Sequence, residues 1–329
     1  MTVPKNALPE PVQRSTIIRF VIVAAKLMVT AVILAVVLQF IDLQRLAERL
    51  RDVQLPLLAA AIAIVLAQNV LVALRWRLIV ARLASRRISM GVALAIIMSG
   101  QFANQVMPFA AGDALRALLV AQTGISARVS ITSVLIDRGI GMLALLLIAV
   151  PPLFLSDYMR AAPELSHALL AVIAVLLAGF VAALAASRFL AGLLSQYRVI
   201  RPAAAALEDL RSVILHPTTS FAVGVISLII QFMGIMVVWI LSHAVAVPIP
   251  IMTVWALVPP MLVATMFPFT VGGWGAREGV VVAFLAIGGI PPDGAFLLSL
   301  AFGATHLISS SPGAITWFGI VRPGAKRRD

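Results

Sequence analysis

Six ionisable residues stand within or beside long apolar stretches of the chain: Asp113 and Arg116, Asp137 and Arg138, Arg277 and Glu278. A charge in hydrocarbon is costly unless it is paired or hydrated, so such residues mark either internal ion pairs or a functional path. Each acid here has an arginine within three positions, and pairing that orders the surrounding helices is one reading. The other is anion recognition. A guanidinium stays ionised in a low dielectric and grips phosphate bidentately, which suits Arg116, Arg138 and Arg277 to a phosphate-bearing headgroup. Gln101, Asn104 and Gln105 precede the first pair, Thr270 precedes the last, and Gln68 and Gln231 lie in other apolar stretches. These amides and hydroxyls extend a polar lining or bond between helices. His306 with Thr305, Ser309, Ser310 and Ser311 forms a further polar stripe, suited to a relay or to close packing by small residues.

Covalent chemistry is not expected from this set. The sequence has no Gly-x-Ser-x-Gly elbow, Walker loop or His-Glu-x-x-His. Its four histidines, at 167, 216, 243 and 306, lack metal-ligand spacing, and it has no cysteine. Asp113 and Glu278 each stand near an arginine, which suits an ion pair better than a general acid. No catalytic residue, metal or cofactor is therefore expected.

The elements that must hold these residues are membrane helices. Of 329 residues, 62% are hydrophobic and 12% charged, and mean hydropathy is +1.08, against about half apolar and a quarter charged in soluble domains. A membrane β-barrel would show short alternating segments, which are absent. The net charge of +12 flanks apolar segments and does not indicate nucleic acid. Six segments are long enough to cross: about Ile18–Ile41, Leu55–Leu74, Ile131–Leu155, Leu165–Ala186, Ser220–His243 and Gly294–Ile320. The first has no small-x-small cleavage site and reads as a retained span, in which Lys26 can snorkel.

Two further apolar segments, 88–123 and 251–289, are broken. The breaks read Met107-Pro108-Phe109-Ala110-Ala111-Gly112-Asp113 and Phe267-Pro268-Phe269-Thr270-Val271-Gly272-Gly273. Most arms beside them are too short for a core of about 30 Å, so each segment is expected to be a re-entrant helical hairpin. Proline removes an amide donor and glycine tolerates positive φ, which makes Pro108, Gly112, Pro268, Gly272 and Gly273 the expected tips.

Charge parity orients these pieces. Arg75, Arg77, Arg82, Arg86 and Arg87 read as a short loop without an acid, which places it in the cytoplasm. Arg128, then Arg188, Arg198, Arg201 and Arg211, and finally Arg322, Lys326, Arg327 and Arg328 fall on the same side, as do both termini. Three spans separate the hairpins, so they enter from opposite faces as an inverted repeat, the arrangement that points to a transport site at the repeat interface. The expected organisation is residues 1–54 (first span and outer amphipathic segment), 55–155 (repeat 1, hairpin 88–123), 156–219 (connecting span and cytoplasmic amphipathic segment), 220–320 (repeat 2, hairpin 251–289) and 321–329 (basic tail). The amphipathic segments, about 42–54 and 188–215, read as interfacial anchors. Trp76, Trp239, Trp255 and Trp317 read as interface residues.

Several motifs together resemble a known family. They are Leu74-Arg75-Trp76-Arg77, Gly100-Gln101-Phe102-Ala103-Asn104 through Pro108 to Arg116, Asp137-Arg138-Gly139, and Pro268 through Gly272-Gly273-Trp274-Gly275-Ala276-Arg277-Glu278-Gly279. They are similar to the transmembrane domain of lysylphosphatidylglycerol synthases and their stand-alone, flippase-like relatives. The resemblance covers nearly the whole chain. It implies an inner-membrane fold with re-entrant helices that moves lipid between leaflets, with Arg116, Arg138, Arg277 and Glu278 as functional positions. The first break departs from the family pattern, reading Ala110-Ala111 where a further glycine is expected. The synthases proper add a soluble aminoacyltransferase domain that this sequence does not contain, so synthase activity is not expected.

The fold expected is therefore an all-α integral membrane protein of about six transmembrane helices plus two re-entrant hairpins. The function expected is translocation of an anionic or glycosylated lipid headgroup through a polar cavity between the hairpins. Two alternatives are a secondary transporter of a small anion and a membrane-embedded transferase on lipid-linked substrates. The expected partner is membrane lipid and not nucleic acid, with homo-oligomerisation left open.

Overall fold

The computed structural model describes residues 43–107, 111–187, 201–265 and 276–320, with positions 28, 39 and 189. All but positions 28 and 39 of the span expected at Ile18–Ile41, the tips Pro108, Pro268, Gly272 and Gly273, Thr270, most of residues 188–200 and the tail 321–329 lie outside the described residues.

Every described element is helical: α1 (Leu43–Arg51), α2 (Leu55–Ala84), α3 (Met90–Val106), α4 (Ala111–Ala121), α5 (Ala127–Leu155), α6 (Asp157–Ala161), α7 (Pro163–Ala185), α8 (Arg201–Ile214), α9 (Pro217–Ala244), α10 (Ile251–Thr265), α11 (Ala276–Ile287), α12 (Pro292–Ser310) and α13 (Pro312–Ile320). Five stretches are long and apolar enough to cross a membrane: α2, α5, α7, α9 and the run Pro292–Thr316 through α12 into α13. Local sequence explains their starts. Pro56, Pro163, Pro217 and Pro292 occupy first-turn positions, where the missing amide hydrogen is not needed. Ser89 and Ser126 cap α3 and α5, their side chains accepting from Val92 N and Val129 N.

Two spans differ from expectation. The last one, expected to be continuous over Gly294–Ile320, is divided where Ser311 precedes Pro312, since proline cannot donate to the preceding turn. The second, expected to end at Leu74, runs ten residues further to Ala84, where Ser85 closes it with φ of 51°. Trp76 and Ile79 are fully buried there, so apolar packing continues the helix through the basic run. Arg75 and Trp76 thus lie inside the bundle rather than in a loop or at an interface.

The helices alternate in direction between two ends. At one, the C-terminal part of α2, the N-terminus of α5, the C-terminus of α7 and the start of α9 gather round α8. Arg82 Nε donates to Ser212 O at 3.3 Å, Arg128 pairs with Asp209 at 3.2 Å, and Arg211 donates to Ser187 Oγ at 3.2 Å. Several basic connections therefore share this end. At the opposite end Gln54 N donates to Ala244 O at 2.8 Å, and α1 is tied down by Arg49, which reaches Asp293 at 2.7 Å and the Ala246 carbonyl at 3.1 Å. The amphipathic first segment is therefore docked on α12 through an ion pair as well as being amphipathic.

The short helices form pairs. α3 and α4 run antiparallel, and Arg86 Nη1 donates to Thr123 O at 3.2 Å, so the pair returns to the basic end from which it left. Their approach depends on glycine. A Cβ on Gly112 would collide with the Gly100 carbonyl, and one on Gly100 would lie 2.5 Å from Arg116 Cγ. Gly112 itself is helical, and the positive-φ glycines among the described residues are Gly124 and Gly289. The expectation that Gly112 serves as a left-handed tip is corrected: it supplies space, not a turn. α10 and α11 also pack together, with the space above Gly288 occupied by Leu257.

The largest apolar core joins α5, α9, α10, α11 and α12 through Leu146, Ile235, Leu241, Leu257, Leu285 and Leu298. A second core joins α2, α3 and α4 through Trp76, Ile96, Ile97 and Leu119. α13 closes on α3 so tightly that a Cβ on Gly313 would meet the backbone of Met98, while Ser99 Oγ donates to Gly313 O at 3.1 Å. In α7, by contrast, Ile173 is the buried residue. A helix apolar all round with so little buried presents its sides to lipid.

Candidate functional site

Where α2, α4 and α5 meet, their charged residues converge. α2 brings Arg75, α4 brings Asp113 and Arg116 one turn apart, and α5 brings Asp137 and Arg138. Asp137, 2% exposed, accepts from Arg75 Nε at 2.8 Å and from Arg116 Nη2 at 2.9 Å. Arg75 also donates to Ser227 Oγ on α9 at 3.2 Å. Asp113 stands 3.5 Å from Arg116 Nη1 and receives a forked grip from Arg138, with Nη2 at 2.9 Å and Nε at 3.0 Å. Arg116 lies over the Trp76 ring, 5.0 Å from its centroid, a cation–π contact inside the bundle.

Pairing explains how these charges survive burial, since an isolated ion would face a desolvation penalty of several kcal/mol. Pairing is incomplete. Three guanidiniums face two carboxylates among the described residues, leaving one positive charge unmatched. The cluster opens on a polar cavity of about 160 Å³. Arg75, Arg116, Asp137, Arg138 and Gln101 line it from the first half of the chain; Gln231 and His306 line it from the second. Its walls thus come from both halves.

The expected site residues divide three ways. Arg116, Asp137, Arg138 and Gln101 line the cavity, with Asp113 bonded into the cluster. Asn104 acts structurally: its Oδ1 accepts from Gly112 N at 2.9 Å and so satisfies a free amide at the start of α4. Arg277 and Glu278 are not brought to this cavity. They sit at the start of α11, where Arg277 Nη2 meets Glu278 Oε1 at 2.6 Å and Ser299 Oγ donates to the same oxygen at 3.2 Å. Glu278 is fully buried near the positive end of the helix dipole, and Arg277 fills the space above Gly303 and borders a small apolar pocket with Phe302.

Sequence reasoning missed Arg75 as a site residue because it follows an apolar run of span length. The signal available was Leu78-Ile79-Val80, which continues the apolar pattern past it. It passed over Asn69 and left His306 between a relay and close packing, outside the site residues, yet both line the cavity. Gln68 and Gln231 do both jobs: they line the cavity and bond between helices, to Ile230 O at 2.8 Å and Gly141 O at 2.7 Å.

Five apolar helical stretches long enough to cross a membrane, four of which wall a net-positive polar cavity, define a multi-pass membrane protein. Residues 20–312 match the family described as Lysylphosphatidylglycerol synthase TM region, and the chain belongs to that family. Its function accordingly relates to membrane lipid. No curated protein and no solved structure matches the chain.

Proposed function

We propose that this protein is a flippase-like lipid translocase, carrying an anionic or glycosylated headgroup through the polar cavity while the tails stay in the bilayer. The observation that carries the reading is the unmatched guanidinium charge in a cavity walled by both halves of the chain. A phosphate supplies the missing negative charge, and arginine forks are its best protein ligands.

In this reading α3 with α4 and α10 with α11 are re-entrant hairpins from opposite faces, and residues 55–155 and 220–320 are inverted repeats that rock about the cavity. Lengths support it: α4 and α11, with 11 and 12 residues, span about 16–18 Å, well short of a core of about 30 Å. The basic end faces the cytoplasm of a bacterial-type inner membrane, with both termini there. Arg277 and Glu278 form a second station on the path of the headgroup, reached from the cavity along α12. The reading assigns the chain transport and no covalent chemistry.

The test is transbilayer movement of fluorescent or spin-labelled lipids in proteoliposomes. Purified protein should accelerate at least one anionic lipid in a broad panel, and Arg116→Ala or Arg138→Ala should slow it at least about tenfold, the loss of one charge-assisted contact. Arg160→Ala, whose side chain is 61% exposed, should leave the rate unchanged. No acceleration of any lipid refutes the reading.

A further inference from the structure

At the basic end, α2, α8 and the start of α9 border a surface groove of about 420 Å³ that shares no lining residue with the central cavity. Arg82 and Arg211 line it, and each commits only part of its guanidinium to the protein. Arg82 Nε donates to Ser212 O at 3.3 Å, and Arg211 Nη1 donates to Ser187 Oγ at 3.2 Å and to Leu184 O at 3.4 Å. Neither arginine is paired with a carboxylate among the described residues. Asp209 is held by Arg128 at 3.2 Å, and Glu208 stands exposed on the rim of the groove. Two guanidiniums thus face one carboxylate.

A third donor joins them. His216 Nδ1 accepts from Thr219 N at 3.4 Å, and a backbone nitrogen only donates, so a neutral imidazole here carries its proton on Nε2. The same residue caps α9, whose positive dipole end adds to the field in the groove. Further along α9 the surface turns apolar. Phe221, Val225 and Leu228 share the helical face of Pro217, which lines the groove, and Phe221 is 75% exposed. At 1.5 Å per residue Phe221 lies about 6 Å deeper than Pro217 along a helix long and apolar enough to cross the membrane. An anion in the groove therefore sits at headgroup depth, with an apolar stripe beneath it.

We infer that this groove binds an anionic phospholipid of the surrounding membrane, its phosphate between Arg82 and Arg211 and its acyl chains along the Phe221 face of α9. The arginines select the phosphate, which their free donors match. A choline lipid brings its own cation into a groove with surplus positive charge and competes poorly. A soluble anion gains the charge contacts alone, whereas a lipid also lays its chains on the stripe, and this commits the site to lipid. Because α2 belongs to the first half of the chain and α9 to the second, the bound lipid joins the halves at this end. The site does not depend on what the central cavity carries.

The absence of cysteine allows a local readout. A fluorophore is attached through Val225→Cys beside the groove or through Val172→Cys on α7, both exposed positions. Each labelled protein is reconstituted in phosphatidylcholine vesicles containing a minor fraction of brominated-chain phosphatidic acid or brominated-chain phosphatidylcholine. Bromine quenches on contact, so quenching reports which lipid occupies the site beside the label. At 225 phosphatidic acid should be favoured at least about fivefold, the effect of one interfacial charge, while at 172 the two lipids should quench alike. Arg82→Gln combined with Arg211→Gln should bring the ratio at 225 below about twofold. Glu208→Gln removes the opposing carboxylate without touching a bond of either arginine, and should raise the ratio. Equal quenching at 225 with the groove intact, a preference of the same size at 172, or a ratio unmoved by the double substitution or by Glu208→Gln overturns the inference. Inorganic phosphate added at constant ionic strength should leave the preference unchanged; if it abolishes the preference, the groove belongs to a soluble anion and the lipid assignment falls.

Discussion

Asp137 takes one guanidinium on each oxygen, Arg75 on one and Arg116 on the other. Its replacement by asparagine keeps the shape, removes the charge, and leaves two buried arginines short of a counter-ion. Breaking a buried pair in this way costs about 3–5 kcal/mol, so Asp137→Asn should lower the denaturation midpoint in detergent markedly. Asp157→Asn, with a side chain 96% exposed, should not. Arg138 is different: its side chain is 44% exposed and its partner Asp113 22%. Arg138→Ala should therefore change transport far more than stability, and a midpoint shift as large as that of Asp137→Asn would assign it to structure instead.

Among the elements, the α3–α4 pair depends on the absence of side chains where its helices touch. A Cβ at Gly112 has no room against the Gly100 carbonyl and Asn104, and overpacking of this kind costs about 1–3 kcal/mol. Gly112→Val should lower the denaturation midpoint, and it should also slow lipid movement, because Arg116 sits one turn further along the same helix. Gly179 in α7 has nothing within 4 Å of an added Cβ. Gly179→Ala should leave transport intact and raise stability by up to about 1 kcal/mol through helix propensity. Equal effects of the two substitutions would remove the packing argument. The same logic applies at α13, where Gly313 lets the end of the second half press on the middle of α3.

For the molecule as a whole, the absence of cysteine makes topology directly measurable. Single cysteines placed at Arg128, Thr123 and Asp157 can be probed in intact cells with a membrane-impermeant maleimide. Positions 123 and 128 should be protected and 157 labelled, because 123 returns beside Arg86 and 128 lies beside α8 at the basic end. Labelling of 123 with protection of 128 would mean that α3 and α4 do not return to one face.

The sequence by itself determined the solvent and the rough places of five long apolar helices, because a bilayer imposes a length and an apolarity that can be counted along the chain. It also exposed the arginines beside the breaks, since a charge in an apolar run is conspicuous. The gathering of basic connections at one end followed from the same counting, because each crossing reverses direction. Only the tertiary structure decided which charges meet. Whether Arg75 ends a span or enters a core depends on what α2 packs against, and Ile79 and Trp76 settle that through contacts with other helices. That Arg116 and Arg138 share one cluster, while Arg277 and Glu278 stand apart beside Ser299, follows from how the helices cross and rotate. That Asn104 caps a helix while Asn69 faces an open cavity depends on the same geometry. Crossing angles and rotations arise from interlocking side chains far apart in sequence, and no local pattern encodes them.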